Sequence, residues 1–120
     1  MLAKAILSEI LRRLKKIELE KLIYLTLLVD KIGMFNIFDW YVDSGLIAST
    51  QFVNTLEEMI REESVKIVNG IVVLVRSVNV ECGWLCSKIS GTVNYVLNTY
   101  GNYDIRILRE LAYTYLTQHL

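Results

Sequence analysis

The chain has 120 residues, 53% of them hydrophobic, with 13 basic and 13 acidic side chains, six glycines and no proline. That length fits one domain over residues 1–120 with a core needing no metal or disulfide support, and 18 Leu, 13 Ile and 12 Val exclude a disordered chain. No uncharged apolar run reaches the roughly 18 residues of a membrane-spanning helix, and where nucleic-acid proteins usually show a dominant basic face, the only basic concentration here is in the first helix.

The balance is uneven along the chain. Residues 1–16 carry a net +4, from Lys4, Arg12, Arg13, Lys15 and Lys16 against Glu9. Residues 32–65 carry a net −5, with only Arg61 opposing six carboxylates. The first segment, MLAKAILSEILRRLKK, interrupts its apolar residues with charge and lacks a small-residue cleavage site, unlike a secretory signal. A reducing cytoplasm is therefore the expected compartment. Near-zero net charge on an apolar chain also leads us to expect a homodimer or another protein partner.

Residues 2–17 place Ile6, Leu7, Ile10, Leu11, Leu14 and Ile17 at helical spacing, with the basic residues off that stripe. A second helix is predicted over 18–32; it is apolar almost all round from Leu19 to Val29 and is followed by Gly33, so it should centre the core. The aromatic-rich stretch that follows suits a short strand or a structured connection, with a turn at Asp43-Ser44-Gly45.

Ser49 or Thr50 can cap a third helix whose stripe is Phe52, Val53, Leu56, Met59 and Ile60. Its other face is acidic. The β-branched runs Val65–Val68 and Ile71–Val75 flank Asn69-Gly70, the strongest short-range signal of a β-hairpin. A fourth helix follows from Trp84 to about Tyr100, where Gly91 would allow a kink or a close neighbour. Asp104 caps a fifth, with a stripe of Ile105, Leu108, Leu111, Ala112 and Tyr115.

This order predicts an α+β, winged-helix-like domain, mostly helical with one β-hairpin wing. Such a domain usually presents its third helix to DNA, yet Glu57, Glu58, Glu62 and Glu63 would be repelled by phosphate. They form a solvated acidic face, and if functional they suit a basic protein surface better than a divalent cation. Contacts to nucleic acid would then fall to Arg12, Arg13, Lys15 and Lys16 of the first helix and to Lys66 and Arg76 of the wing. Glu57, Glu58, Glu62, Tyr113 and Tyr115 make the expected protein-interaction face, because Tyr and Trp suit interfaces that bury a ring and satisfy its polar tip.

Recognisable catalytic chemistry is missing from the sequence. The single histidine, His119, sits beside the terminal Leu120, a poor place to hold a general base. No nucleophile turn, phosphate-cradling loop or metalloprotease motif occurs, so neither an enzyme nor a cofactor is expected. Cys82 and Cys86 are half of a zinc site with no second pair to complete it, and they are expected as structural thiols. A metal site shared by two copies of the chain is the alternative.

LEKLIYLTLLVDKIG followed by FDWYVDSGLIASTQFVNTLEEMI resembles the archaeal and bacterial families that include YwgA-like proteins and the Panacea antitoxin domain. The similarity covers residues 19–75. Glu20 stands where those families have Gln, and Gly45-Leu46-Ile47-Ala48 replaces their GPYS turn. The resemblance implies a winged-helix-like α+β fold whose relatives serve protein recognition as well as regulation. The function expected is a small, self-associating, non-enzymatic module for protein interaction or regulation; the alternative is a DNA-binding transcriptional regulator.

Overall fold

The computed structural model describes residues 2–118. Helix α1 (Leu2–Leu14) buries Ala3, Ala5, Ile6, Leu7, Ile10 and Leu11 and ends sooner than its apolar stripe suggests. Lys15 adopts a left-handed φ of +70° while its N–H still donates to Leu11 O at 2.8 Å, so the chain turns out of the helix there. Ile17, placed by periodicity on the helix, is instead the inward residue of a three-residue strand, β1 (Lys16–Glu18). Its pairing with a strand far along the chain overrides the local helical spacing.

Helix α2 (Leu19–Ile32) is the centre of the core, as expected, with Leu22, Leu25, Leu27, Leu28 and Val29 fully buried. Each such side chain contributes about 1.5–3 kcal/mol of burial. Asp30 is buried among them, and its carboxylate organises the next segment. Oδ1 accepts from the Ile37 N–H at 2.9 Å, and Oδ2 accepts from the Phe38 N–H at 3.3 Å and the Trp40 indole N–H at 2.9 Å.

The aromatic stretch resolves into strands β2 (Trp40–Asp43) and β3 (Leu46–Ser49), an antiparallel hairpin turning at Ser44 and Gly45. Helix α3 (Thr50–Arg61) then starts at the expected cap: Ser49 Oγ accepts from the Phe52 N–H at 3.1 Å. Asp39 supports the same turn by accepting from Ser49 Oγ at 2.6 Å and from the Gln51 N–H at 2.9 Å. The Ser49 hydroxyl, the Gln51 N–H and the other donors hold its carboxyl below the ordinary value, outweighing desolvation. A negative charge at a helix N-terminus is also favoured by the backbone dipoles.

Strands β4 (Val65–Val68) and β5 (Ile71–Leu74) form the expected hairpin, with Asn69 at φ +52° and Gly70 at +79°. Two successive positive φ values make the tight turn that matches strand twist, which is why Asn-Gly occupies it. β1 adds to the far edge of β5, giving a three-stranded antiparallel sheet in the order β1-β5-β4.

Helices α4 (Leu85–Tyr100) and α5 (Ile105–Thr117) pack against α2, and α4 also packs against α1. Gly91 is exposed in an uninterrupted α4, and a Cβ built there would meet nothing within 4 Å, so no close neighbour requires it. Asp104 caps α5, accepting from the Arg106 N–H at 2.8 Å.

Candidate functional site

The sheet register decides which basic residues share a surface. Lys16 of β1 and Lys66 of β4 both stand opposite Val73 of the central β5, so the three side chains form one cross-strand row on one face. Strand spacing puts the two lysine backbones roughly 10 Å apart. Both lysines are exposed, and like that of exposed Lys15 their ammonium groups have no ion-pair or hydrogen-bond partner among the described residues. The next row holds Glu18, Ile71 and Val68.

The other three nominated cations are engaged. Arg12 grips Glu9 with two bonds at 3.1 and 2.7 Å. Arg13 reaches the same carboxylate at 2.8 Å and then ties α1 to α4 through Asn94 Oδ1 at 2.9 Å and Ser90 Oγ at 3.0 Å. Desolvation would raise the Glu9 carboxyl, but the hydrogen bonds from Arg12 and Arg13 outweigh it and the net shift is downward. Arg76 donates to the Glu62 backbone carbonyl at 2.7 Å.

The acidic cluster is partly neutralised from within. Lys4 of α1 meets Glu62 Oε1 at 2.6 Å and Glu58 Oε2 at 3.1 Å, and these carboxylates, the Glu62 hydrogen bond foremost, raise the lysine against its desolvation. The basic first helix thus contacts part of the acidic third one. Glu57 and Glu63 have no such partner among the described residues. The outward stripe of α3 runs Val53, Glu57, Ile60, at three- and four-residue steps, and both apolar members are exposed. Ile67 and Val68 of β4 are also exposed.

The two tyrosines nominated for an interface are half-buried. Tyr113 uses its hydroxyl internally, donating to the Gly45 carbonyl and so pinning α5 to the β2–β3 turn. Tyr100 stands edge-on to Tyr95 and Tyr103, at centroid distances of 6.4 and 5.5 Å. Burial foremost, with the Tyr115 hydroxyl, pushes its phenol up to about 12.

Cys82 and Cys86, expected as thiols, are joined in a disulfide with Cα atoms 5.2 Å apart. Their spacing at the entry to α4 brings both sulfurs to one side, and pairing consumes the thiols a shared metal site would use. His119 lies outside the described residues.

Sequence reasoning missed a further cluster. Glu20 Oε2 accepts from Tyr24 Oη and from Arg109 Nη2, each at 2.5 Å, while Arg109 Nε donates to Tyr24 Oη at 3.0 Å. The Tyr24 hydroxyl, then Arg109, hold the Glu20 carboxyl below its ordinary value. An open, largely apolar cavity of about 470 Å³ adjoins it, lined also by Leu19, Ile23, Leu46 and Ile47. Glu20 and Tyr24 are one helical turn apart and legible as a pair, but nothing local announces Arg109.

No family model matches the chain, and no curated protein or solved structure matches it significantly.

Proposed function

We propose that this chain is a non-enzymatic, winged-helix-like module for protein interaction or regulation, self-associating and acting in the cytoplasm. The fold part of the reading is supported by the order α1, β1, α2, α3, β4, β5 with sheet order β1-β5-β4, in which β4–β5 is the wing and β2–β3 an insertion before α3. No helix among the described residues is long and apolar enough to cross a membrane.

The observation that carries the functional part is the outward face of α3. A groove reader presents Arg, Lys, Asn or Gln to base edges and phosphates. This helix also exposes Gln51, Asn54 and Arg61, but the stripe Val53, Glu57 and Ile60 with neighbouring Glu58 is acidic and apolar, which suits a protein surface bearing Lys or Arg among apolar residues. Light scattering on the purified chain, with affinity capture from native lysate, tests the reading. A mass above the monomer, or a captured protein lost in Val53→Asp/Ile60→Asp, is expected; a monomer that captures nothing contradicts it.

One observation favours a second reading, DNA binding. Lys16 and Lys66 share an exposed sheet face, with Lys15 nearby in sequence, and could contact phosphates without α3 entering a groove. This route leaves sequence unread, so we rank it second.

A further inference from the structure

A cavity of about 180 Å³ lies between α1, the end of β5 and the segment leading into α4. At about 30 Å³ per water it has room for roughly six waters, below the ~300 Å³ of the smallest drug-sized sites. Its polar wall comes from Ser8, Glu9 and Arg12 on one side and Arg76, Ser77 and Asn79 on the other. Ser8 Oγ is buried and is the one such side-chain polar atom left without a hydrogen-bond partner among the described residues. A buried hydroxyl in that state is costly, and having no accessible surface it adds no donor to the cavity.

The charge of the wall gives the sign of that occupant. Two guanidiniums face one carboxylate. Glu9 takes Nε and Nη2 of Arg12, and the Glu62 carbonyl takes Nη2 of Arg76, so Nη1 of Arg12 and both Nη1 and Nε of Arg76 keep donors unused among the described residues. Several donors around a small volume with a net positive wall fit an oxyanion of phosphate size.

The same cavity is bounded by Cys82 and Cys86. Residues 77–81 make no backbone–backbone hydrogen bond among the described residues, so the wall that brings Ser77 and Asn79 is held by packing and by the disulfide at its end. Cys86 is exposed, open to attack by a thiolate.

We propose that this cavity binds a small phosphate-type oxyanion and that the Cys82–Cys86 disulfide keeps its outer wall in place, so that reduction releases the ligand. In the reductive step a dithiol donates two electrons and two protons; the Cys82–Cys86 bond breaks to two thiols and the dithiol closes to its own disulfide. In a reducing compartment such a bond is a redox sensor rather than a permanent staple. The site stands apart from the α3 face, and its failure leaves the protein-interaction reading intact.

The test is a titration of the ¹⁵N-labelled, oxidised full chain with inorganic phosphate, with methyl phosphate and with sodium chloride at matched ionic strength. Saturable shifts at the Ser77 and Asn79 amides with the phosphates and not with chloride are expected. Preference for methyl phosphate would identify an ester as the natural source, and preference for inorganic phosphate the free ion. Arg76→Gln should weaken binding at least tenfold, with the remaining resonances unmoved. Dithiothreitol, or Cys82→Ser/Cys86→Ser, should weaken it as much as Arg76→Gln does. Shifts that match those of chloride overturn the site, and equal affinity in oxidised and reduced protein overturns the switch.

Discussion

Lys16 and Lys66 occupy the two outer strands of the sheet in one row through Val73, so both ammonium groups leave the same face. Their sequence separation hides this relationship. It makes them, rather than the arginines of α1, the best phosphate contacts on the surface, because Arg12 and Arg13 are both taken by Glu9.

Duplex DNA binding at low salt, where it occurs, should therefore depend on this row. The double variant Lys16→Glu/Lys66→Glu should abolish it, and neutralising both as Gln should lower the slope of log affinity against log salt by about 2, near 0.9 for each lost phosphate contact. Arg76→Gln should change that slope less, since Arg76 lines the cavity between α1 and the end of β5 and is not part of the Lys16–Lys66 row. Fluorescence anisotropy across a salt series checks both statements, and an unchanged slope in the Gln variant would refute the assignment.

Asp30 is a structural prediction with a larger magnitude. Asp30→Ala leaves the Ile37 and Phe38 N–H groups and the Trp40 indole without their acceptor, at roughly 1–3 kcal/mol for each buried donor that water does not reach. A loss of about 3 kcal/mol is expected in urea unfolding, with Asp30→Asn recovering part of it. A midpoint within error of the wild type would show that the carboxylate does not organise the 33–40 connection.

How much of this was legible depends on sequence distance. The β4–β5 hairpin is plain because Asn69-Gly70 and its β-branched flanks act within ten residues, and the Ser49 cap is plain for the same reason. The end of α1 was misread because Ile17 satisfies helical spacing, while the pairing that claims it involves Val72, a contact between distant segments. Asp30 carries no local signal of its role, since its three donors come from a connection whose shape the sequence does not specify. Among the candidate site residues, the sequence nominates Lys16 and Lys66 alongside Arg12 and Arg13 on equal terms; only the register and the Glu9 pairings set them apart. The disulfide is not legible because a four-residue spacing equally suits two free thiols on one helix face, and only the turn entering α4 brings the sulfurs together.

Acid should weaken the fold through Asp39 and Glu20. Both carboxyls lie below their ordinary values in the folded chain, so the stability they contribute is present above the unfolded range, about pH 4, and is lost as pH falls through their lower folded values. Asp39→Asn and Glu20→Gln should each flatten the fall in Tm below pH 4 relative to wild type. Thermal melts at pH 7, 4, 3 and 2.5 check this; curves parallel to that of the wild type would contradict it.

The account turns on what α3 faces, and a photo-crosslinking amino acid placed at position 53 reads that directly. Irradiation of the full chain in native extract should give a protein adduct, a second copy or another chain, that disappears when Glu57→Lys is added. Adducts to nucleic acid without protein adducts, or protein adducts indifferent to Glu57→Lys, would contradict the proposal that this acidic, apolar helix is a protein-binding surface.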